Sequence, residues 1–229
     1  MKYKTYLVGG AVRDEILGKP SKDNDYVVLA PSFEDMRASL LEQGCKIFVE
    51  KPEYLTIRAN HPTLGATDFA CARKDGNYTD GRRPDNTEIT TDLVADLSRR
   101  DFTCNAIAKD VDTGEIVDPF NGLNAIKDGK LFAVGSARAR FDEDKLRAFR
   151  ALRFAITKNF RLDHEISNAI GALTPSLFNS VSTERIREEL LKMFASNTER
   201  SFRLLLEFPV LWSVIGNRGI WFKPTVESK

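Results

Sequence analysis

The 229-residue sequence predicts an α+β fold, a mixed-sheet head over residues 1–138 followed by an all-helical part over 139–229. Three observations carry this. Short apolar runs of strand length, bounded by Gly and Pro, alternate with brief helical patterns through the first half. From Asp142 onward the apolar spacing is helical, through Leu146, Phe149, Leu152, Phe154, Ile166, Ile170, Ile186, Leu190 and Phe194. The change between the two regimes falls near 136–141, with no internal repeat or low-complexity tract.

In chain order, residues 1–8 read as a strand and Ala11 to Leu17 as a helix introduced by Gly9-Gly10. Tyr26 to Leu29 reads as a second strand. Ser32 with Asp35 three residues on is a variant capping box, and Met36, Leu40 and Leu41 supply the apolar face up to Gly44. Ile47-Phe48-Val49, Leu55-Thr56-Ile57 and Ala66 to Ala72 read as strands. In the last, Thr67, Phe69 and Cys71 share one face and Asp68 lies on the other. Residues 73–91 are polar and glycine-rich and are expected to form a long mobile loop of functional kind. Asp92 to Leu97 resumes helix, Glu115-Ile116-Val117 is a short strand, and Asp118-Pro119-Phe120-Asn121-Gly122 is strong turn chemistry.

Composition excludes several classes. No run of eighteen apolar residues exists, so no membrane span is expected, and the start lacks a signal-peptide core. Cys45, Cys71 and Cys104 match neither a disulfide framework nor a zinc pattern, which fits a reducing cytoplasm and small core residues. Net charge is +1, so bulk electrostatics announce no partner. Local charge does: Lys130 to Arg161 carries nine Lys/Arg against three acids. With Arg138, Arg140, Arg153 and Lys158 among its members, this stripe suits a phosphate backbone. A solvated helix face accounts equally for about half of it.

Chemistry concentrates between Val8 and Val28. Gly9-Gly10 lets backbone approach a ligand and opens a helix whose N-terminus suits phosphate oxygens. Asp23 and Asp25 lie two apart and share a strand face, a placement suited to Mg²⁺, which takes oxygen ligands. A phosphate cradle and a carboxylate dyad within twenty residues read as nucleotide chemistry. Singly, each is more often a turn or a capping cluster.

The motifs in sequence resemble the class II tRNA nucleotidyltransferases (CCA-adding enzymes) and bacterial poly(A) polymerases, within the polymerase-β-like nucleotidyltransferase superfamily. Gly9-Gly10-Ala11-Val12-Arg13-Asp14 with Asp23-Asn24-Asp25 is similar to the family's first motif. Arg99-Arg100-Asp101-Phe102-Thr103-Cys104-Asn105-Ala106 resembles the second and Asp118-Pro119-Phe120-Asn121-Gly122 the third. Glu143-Asp144-Lys145-Leu146-Arg147 with Arg150 resembles the Glu-Asp-x-x-Arg motif, and Ser182 to Leu190 the helical motif closing the neck. The resemblance spans roughly residues 5–195. Departures are Lys145 where Pro is usual and Ala125 where an acid commonly follows the Asp-Pro-x-x-Gly turn. Family members also continue well past the neck, whereas this sequence stops at Lys229, so a short form is expected.

The resemblance implies a mixed-sheet nucleotidyltransferase head, a helical neck and Mg²⁺-dependent, template-independent addition of C and/or A from CTP or ATP to a tRNA 3′ end. Asp23 and Asp25 would hold the metal ions and Asp68 would complete the catalytic carboxylates. A salt bridge of Asp68 with Arg58 or Arg73 is the competing reading. Gly9, Gly10 and Arg13 would meet the triphosphate, and Arg100, Asp101 and Asn105 the ribose and phosphates, unless these three form a capping cluster. Glu143, Asp144, Arg147 and Arg150 would form the nucleotide pocket, with Asp144 and Arg147 reading the base edge as proteins do elsewhere. Expected partners are the tRNA acceptor end, CTP and ATP, with a second copy or partner protein supplying the missing tRNA grip through Trp212, Trp221 and Phe222. A poly(A)-adding enzyme and a non-catalytic RNA-binding module of the same fold are the alternatives.

Overall fold

The structure is a computed structural model that describes residues 2–21, 24–79 and 84–222. It divides into two compact units, Met1–Asn77 with Pro84–Ser136, and Tyr78–Arg83 with Ala137–Lys229.

The first unit is built on β1 (Thr5–Val8), β2 (Asp25–Val28), β3 (Lys46–Lys51), β4 (Thr56–His61), β5 (Gly65–Cys71), β8 (Ala108–Asp110) and β9 (Ile116–Val117). These form one mixed sheet of order β3-β4-β5-β2-β1-β8-β9. The β2–β5 pair is parallel and the other pairs are antiparallel. A parallel pair needs a crossover, which α2 (Phe33–Glu42) and the β3–β4 hairpin supply. Ser32 caps α2, accepting the Asp35 N–H at 3.0 Å, while its own hydroxyl donates to the Asp35 carboxylate at 2.6 Å. Such a cap is worth about 1 kcal/mol.

One sheet face buries Tyr26, Val28, Ile57, Phe69 and Cys71 against Phe33, Met36 and Leu40 of α2. On the other face, Leu93 and Leu97 of α3 (Leu93–Ser98) pack with Val8, Val27 and Ala72. The strands beyond β2 carry Asp68, Arg58 and Thr56 on that second face, because side chains alternate and these positions are polar. The uncovered part is a cleft.

Residues 73–91 are not wholly a loop. β6 (Arg73–Asp75) pairs with β7 (Thr87–Ile89), Lys74 opposite Glu88. The Gly76 N–H donates to the Asn86 carbonyl at 2.9 Å, and a Cβ on Gly76 would collide with the Asn86 side chain. Polar strands lack the apolar alternation by which a ribbon is read from sequence.

α4 (Gly122–Lys127) follows the Asp-Pro turn. Asp118 receives the Gly122 N–H at 2.7 Å and the Leu123 N–H at 2.8 Å. A Cβ at Gly122 would fall on the Thr103 carbonyl oxygen and lie 2.8 Å from Ile107 Cγ1. The glycine therefore lets this helix buttress the segment that carries Asp101 and Asn105.

The second unit is helical: α5 (Ala137–Glu143), α6 (Leu146–Thr157), α7 (His164–Gly171), α8 (Thr183–Ser196), α9 (Thr198–Leu206) and α10 (Pro209–Asn217). α6 buries Leu146, Phe149, Leu152, Phe154 and Ile156, and Phe149 meets Phe178 edge to face at 5.6 Å. No helix among the described residues is long and apolar enough to cross a membrane.

Candidate active site

Strand register brings the first unit's carboxylates together. Asp25 on β2 pairs in register with Asp68 on β5, and Asp68 with Arg58 on β4. In-register neighbours point to the same face, about 4.8 Å apart per strand. A single row across the sheet thus reads Arg58, Asp68, Asp25, Val8. The row opens on a cleft of about 440 Å³ whose lining includes Lys51, Thr56, Arg99 and Arg100. Asp23 lies outside the described residues.

Asp68 faces the cleft and also meets its expected rival partner. Arg58 Nη1 stands 3.4 Å from Asp68 Oδ2, with the side chains 53% and 48% exposed. An exposed pair at that distance is worth at most about 1 kcal/mol, so it is open to exchange. Arg73 pairs with Asp75 instead, at 3.1 Å.

On the opposite flank, Gly9 follows β1 and leads into α1 (Gly10–Ile16), with φ at +70°. The positive φ favours glycine, and a Cβ there would lie 2.6 Å from Arg100 Nη1 and push the guanidinium away. The Gly9 N–H is engaged by the Ile107 carbonyl at 3.3 Å.

Arg13, expected to meet the triphosphate, lies below the surface of the glycine turn in this structure. Arg13 is buried, donates from Nη1 to Asn105 Oδ1, and pairs with Asp14 at 2.9 Å. Asn105 in turn donates to Asp101 Oδ1 at 2.9 Å, which also accepts the Phe102 N–H at 2.8 Å. Arg13, Asp101 and Asn105 form a buried hydrogen-bonded core beneath the glycine turn, close to the capping-cluster reading for the latter two. Of that motif, Arg99 and Arg100 reach the cleft lining.

Asp96 escaped the sequence reading. Its side chain is 0% exposed and binds Arg99 at 2.7 Å, Arg100 at 3.4 Å and the Arg73 N–H at 3.1 Å. Burial lowers the pKa of the Arg100 guanidinium, and the Asp96 carboxylate opposes that shift. The signal was present: an acid in α3, three and four residues before two arginines at the helix end.

In the second unit, Glu143 takes Arg147 at 2.5 Å and Arg140 at 2.6 Å. Asp144 receives the Leu146 N–H at 3.0 Å and pairs with Arg185 at 2.7 Å. Arg153 pairs with Glu189, with Arg150 at 3.8 Å from the same carboxylate. Arg140 and Arg153, expected in the basic stripe, are held in ion pairs, Arg140 with Glu143 three residues on in α5 and Arg153 with Glu189 of α8. Arg138 is exposed, and Lys158 is half-buried at the end of α6.

Among the described residues, the anionic side chains lining the cleft are the carboxylates of Asp25 and Asp68, hard oxygen donors that suit Mg²⁺. No cluster of three His, Cys, Asp or Glu close enough to hold a metal occurs among the described residues. Asp25 and Asp68 supply two in-register carboxylates, and this pair fits an ion that keeps waters and phosphate oxygens in its shell.

Residues 5–132 match the family described as the Poly A polymerase head domain, and 159–214 match the probable RNA and SrmB-binding site of polymerase A. The chain belongs to the Poly A polymerase head-domain family. Within that class it is similar to CCA-adding enzymes. That of Lactobacillus johnsonii is 35% identical over 240 residues, covering 99% of this chain and 58% of the relative. The crystal structure of Bacillus stearothermophilus CCA-adding enzyme in complex with CTP superposes with a TM-score of 0.78 at 35% identity, over 91% of this chain and 49% of that one. A tRNA nucleotidyltransferase complexed with a primer tRNA and an incoming ATP analog gives 0.72 at 29% identity, over 94% and 60%. The chain spans about half the length of the relatives it matches.

Proposed function

We propose that this chain is an Mg²⁺-dependent RNA nucleotidyltransferase that adds C and/or A from CTP or ATP to the 3′ end of tRNA. What supports the reading above all is the in-register pair Asp25–Asp68 opening on a cleft with arginines on both flanks, in a chain of this family. CTP, a primer tRNA and an ATP analog are bound in similar structures.

In the reaction, the RNA 3′-hydroxyl oxygen attacks the α-phosphorus of the nucleotide. The α–β phosphoanhydride bond breaks, pyrophosphate leaves, and the hydroxyl proton is released. Asp25 and Asp68, with Asp23, would hold the metal. When bound, the ion supplies neutralisation of the triphosphate and a lowered barrier to deprotonating the hydroxyl. Arg100, fixed against Gly9 and by Asp96, is preorganised to meet triphosphate charge on the β1 flank, with Arg99 beside it. Asp68 stands on the side away from Gly9, where a carboxylate accepts the hydroxyl proton. In the second unit, Asp144 would accept from the exocyclic amine of cytosine or adenine while Arg147 donates to the ring edge. Their ion pairs with Arg185 and Glu143 hold both groups in place. Choice of CTP and ATP would then be made by protein, with no nucleic-acid template.

The test is incubation with Mg²⁺, each labelled nucleotide and tRNA ending at the discriminator base, followed by sequencing of the product ends. Addition of CCA and a halt is expected. A long A tail would favour a poly(A)-adding enzyme, and no incorporation from any nucleotide would overturn the proposal.

A further inference from the structure

The sheet carries a second cationic flank that the chemistry above does not use. Lys51 on β3 pairs in register with Thr56 on β4, and Arg58 lies two residues further along the same face of β4. All three line the cleft. The register also puts Glu50 opposite Ile57, on the α2 face, where Glu50 is taken by Arg37 at 2.9 Å. The cleft side of β3–β4 therefore holds Lys51 and Arg58 without that acid.

Strand order decides what this flank can serve. In β3-β4-β5-β2-β1, the Gly9 turn and Arg100 stand at the β1 side of the carboxylate pair, and Lys51, Thr56 and Arg58 at the other. A nucleotidyl transfer brings two anionic chains to opposite sides of the metal: the triphosphate and the RNA whose hydroxyl attacks. With Gly9 and Arg100 on the triphosphate side, the second flank faces the attacking side. We infer that Arg58, Lys51 and Thr56 form a subsite for the phosphodiester backbone of the RNA next to its 3′-terminal nucleoside. This rests on the proposed nucleotidyltransferase reading and extends it to the RNA end.

Arg58 has two partners in this scheme. Without substrate it neutralises Asp68 through a weak, water-exposed ion pair. With Asp68 engaged by a divalent cation, the guanidinium would be free to meet a phosphate oxygen, where a charge-assisted fork is stronger than its present single interaction.

Arg58→Gln and Lys51→Gln test this, each at an exposed position where the fold has little to lose. Affinity for a fluorescent RNA ending at the discriminator base is measured without nucleotide, as is affinity for CTP without RNA and for Mn²⁺ alone. In either variant RNA affinity is expected to fall roughly fivefold, the scale of one exposed ion pair. The slope of log affinity against log salt should shrink by about 0.7 for each phosphate of single-stranded RNA that is no longer neutralised. CTP affinity should stay within twofold, and Mn²⁺ should bind more tightly to Arg58→Gln, which removes the competing cation from Asp68. Loss of CTP affinity with RNA affinity unchanged would assign the flank to the triphosphate and overturn the inference. Unchanged RNA affinity and salt slope in both variants would overturn it too. Wild-type protein that binds CTP but no RNA would instead refute the RNA-extending reading on which it rests.

Discussion

Replacing Asp96 with Ala is expected to be among the most damaging single changes in the first unit. The carboxylate is fully buried and is shared by Arg99, Arg100 and the Arg73 N–H. Removing one partner of a buried ion pair costs about 3–5 kcal/mol, because the remaining charge stays uncompensated. Arg99 and Arg100 are 23% and 20% exposed and can turn partly to water, which moves the figure to the low end. Arg99 also keeps Asp75 at 3.6 Å. About 3 kcal/mol, divided by a urea slope of roughly 2 kcal/mol/M, shifts the midpoint down by about 1.5 M. The assay is urea unfolding followed by far-ultraviolet circular dichroism, because Trp212 and Trp221 both lie in the second unit and report on that unit. Asp96→Asn, which keeps the shape and loses the charge, should fall between the two. A midpoint within about 0.3 M of wild type for Asp96→Ala would refute the claim that this carboxylate organises Arg99 and Arg100.

Gly122→Ala should destabilise by about 1–3 kcal/mol, since the new methyl meets the Thr103 carbonyl and Ile107; thermal unfolding checks it, and an unchanged midpoint would remove α4 as the buttress. His61 tests the pH dependence. Burial lowers its pKa below the usual 6.5, and Nδ1 accepts the Thr63 and Leu64 N–H groups at 3.2 and 3.3 Å. Its contribution is complete above pH ~6.5 and is lost as pH falls from there through the folded-state pKa, by no more than about 1.4 kcal/mol per pH unit. The difference in stability between wild type and His61→Gln should narrow from pH 7.5 to 5.5, and a constant gap would show that titration of His61 does not matter. Arg147→Ala should relax discrimination among the four nucleotides by on the order of 1–3 kcal/mol; kcat/KM ratios that stay fixed while all rates fall together would make Arg147 structural.

Much of this was legible in the sequence for reasons that are local. The Ser32–Asp35 cap needs four residues and elementary geometry, and it forms as read. Alternation in Thr67-Asp68-Phe69 already sets Asp68 on the face away from the core, and the β5 register then places it beside Asp25. What could not be read is long-range. Nothing near Arg13 tells that Asn105 will occupy its guanidinium, so a residue expected at phosphates sits buried instead. The β6–β7 ribbon is polar apart from Ile89, too little for an alternation to be read, and its pairing is extended by backbone bonds such as Gly76 to Asn86. The Arg140–Glu143 pair is local, three residues apart on α5, and could be read from spacing, whereas the neutralisation of Arg153 by Glu189 appears only when α6 and α8 pack.

The claim at the centre of this account is that the Asp25–Asp68 row performs nucleotidyl transfer. Its most direct test is the transfer of label from CTP and ATP to the tRNA 3′ end by wild type, Asp25→Asn and Asp68→Asn, with Mg²⁺ present and folding verified by circular dichroism. The account predicts robust incorporation by wild type and a loss of at least about a thousandfold in Asp25→Asn, the scale of about 4 kcal/mol of transition-state stabilisation. Asp68→Asn should be strongly impaired as well. Near wild-type incorporation by folded Asp25→Asn would contradict it.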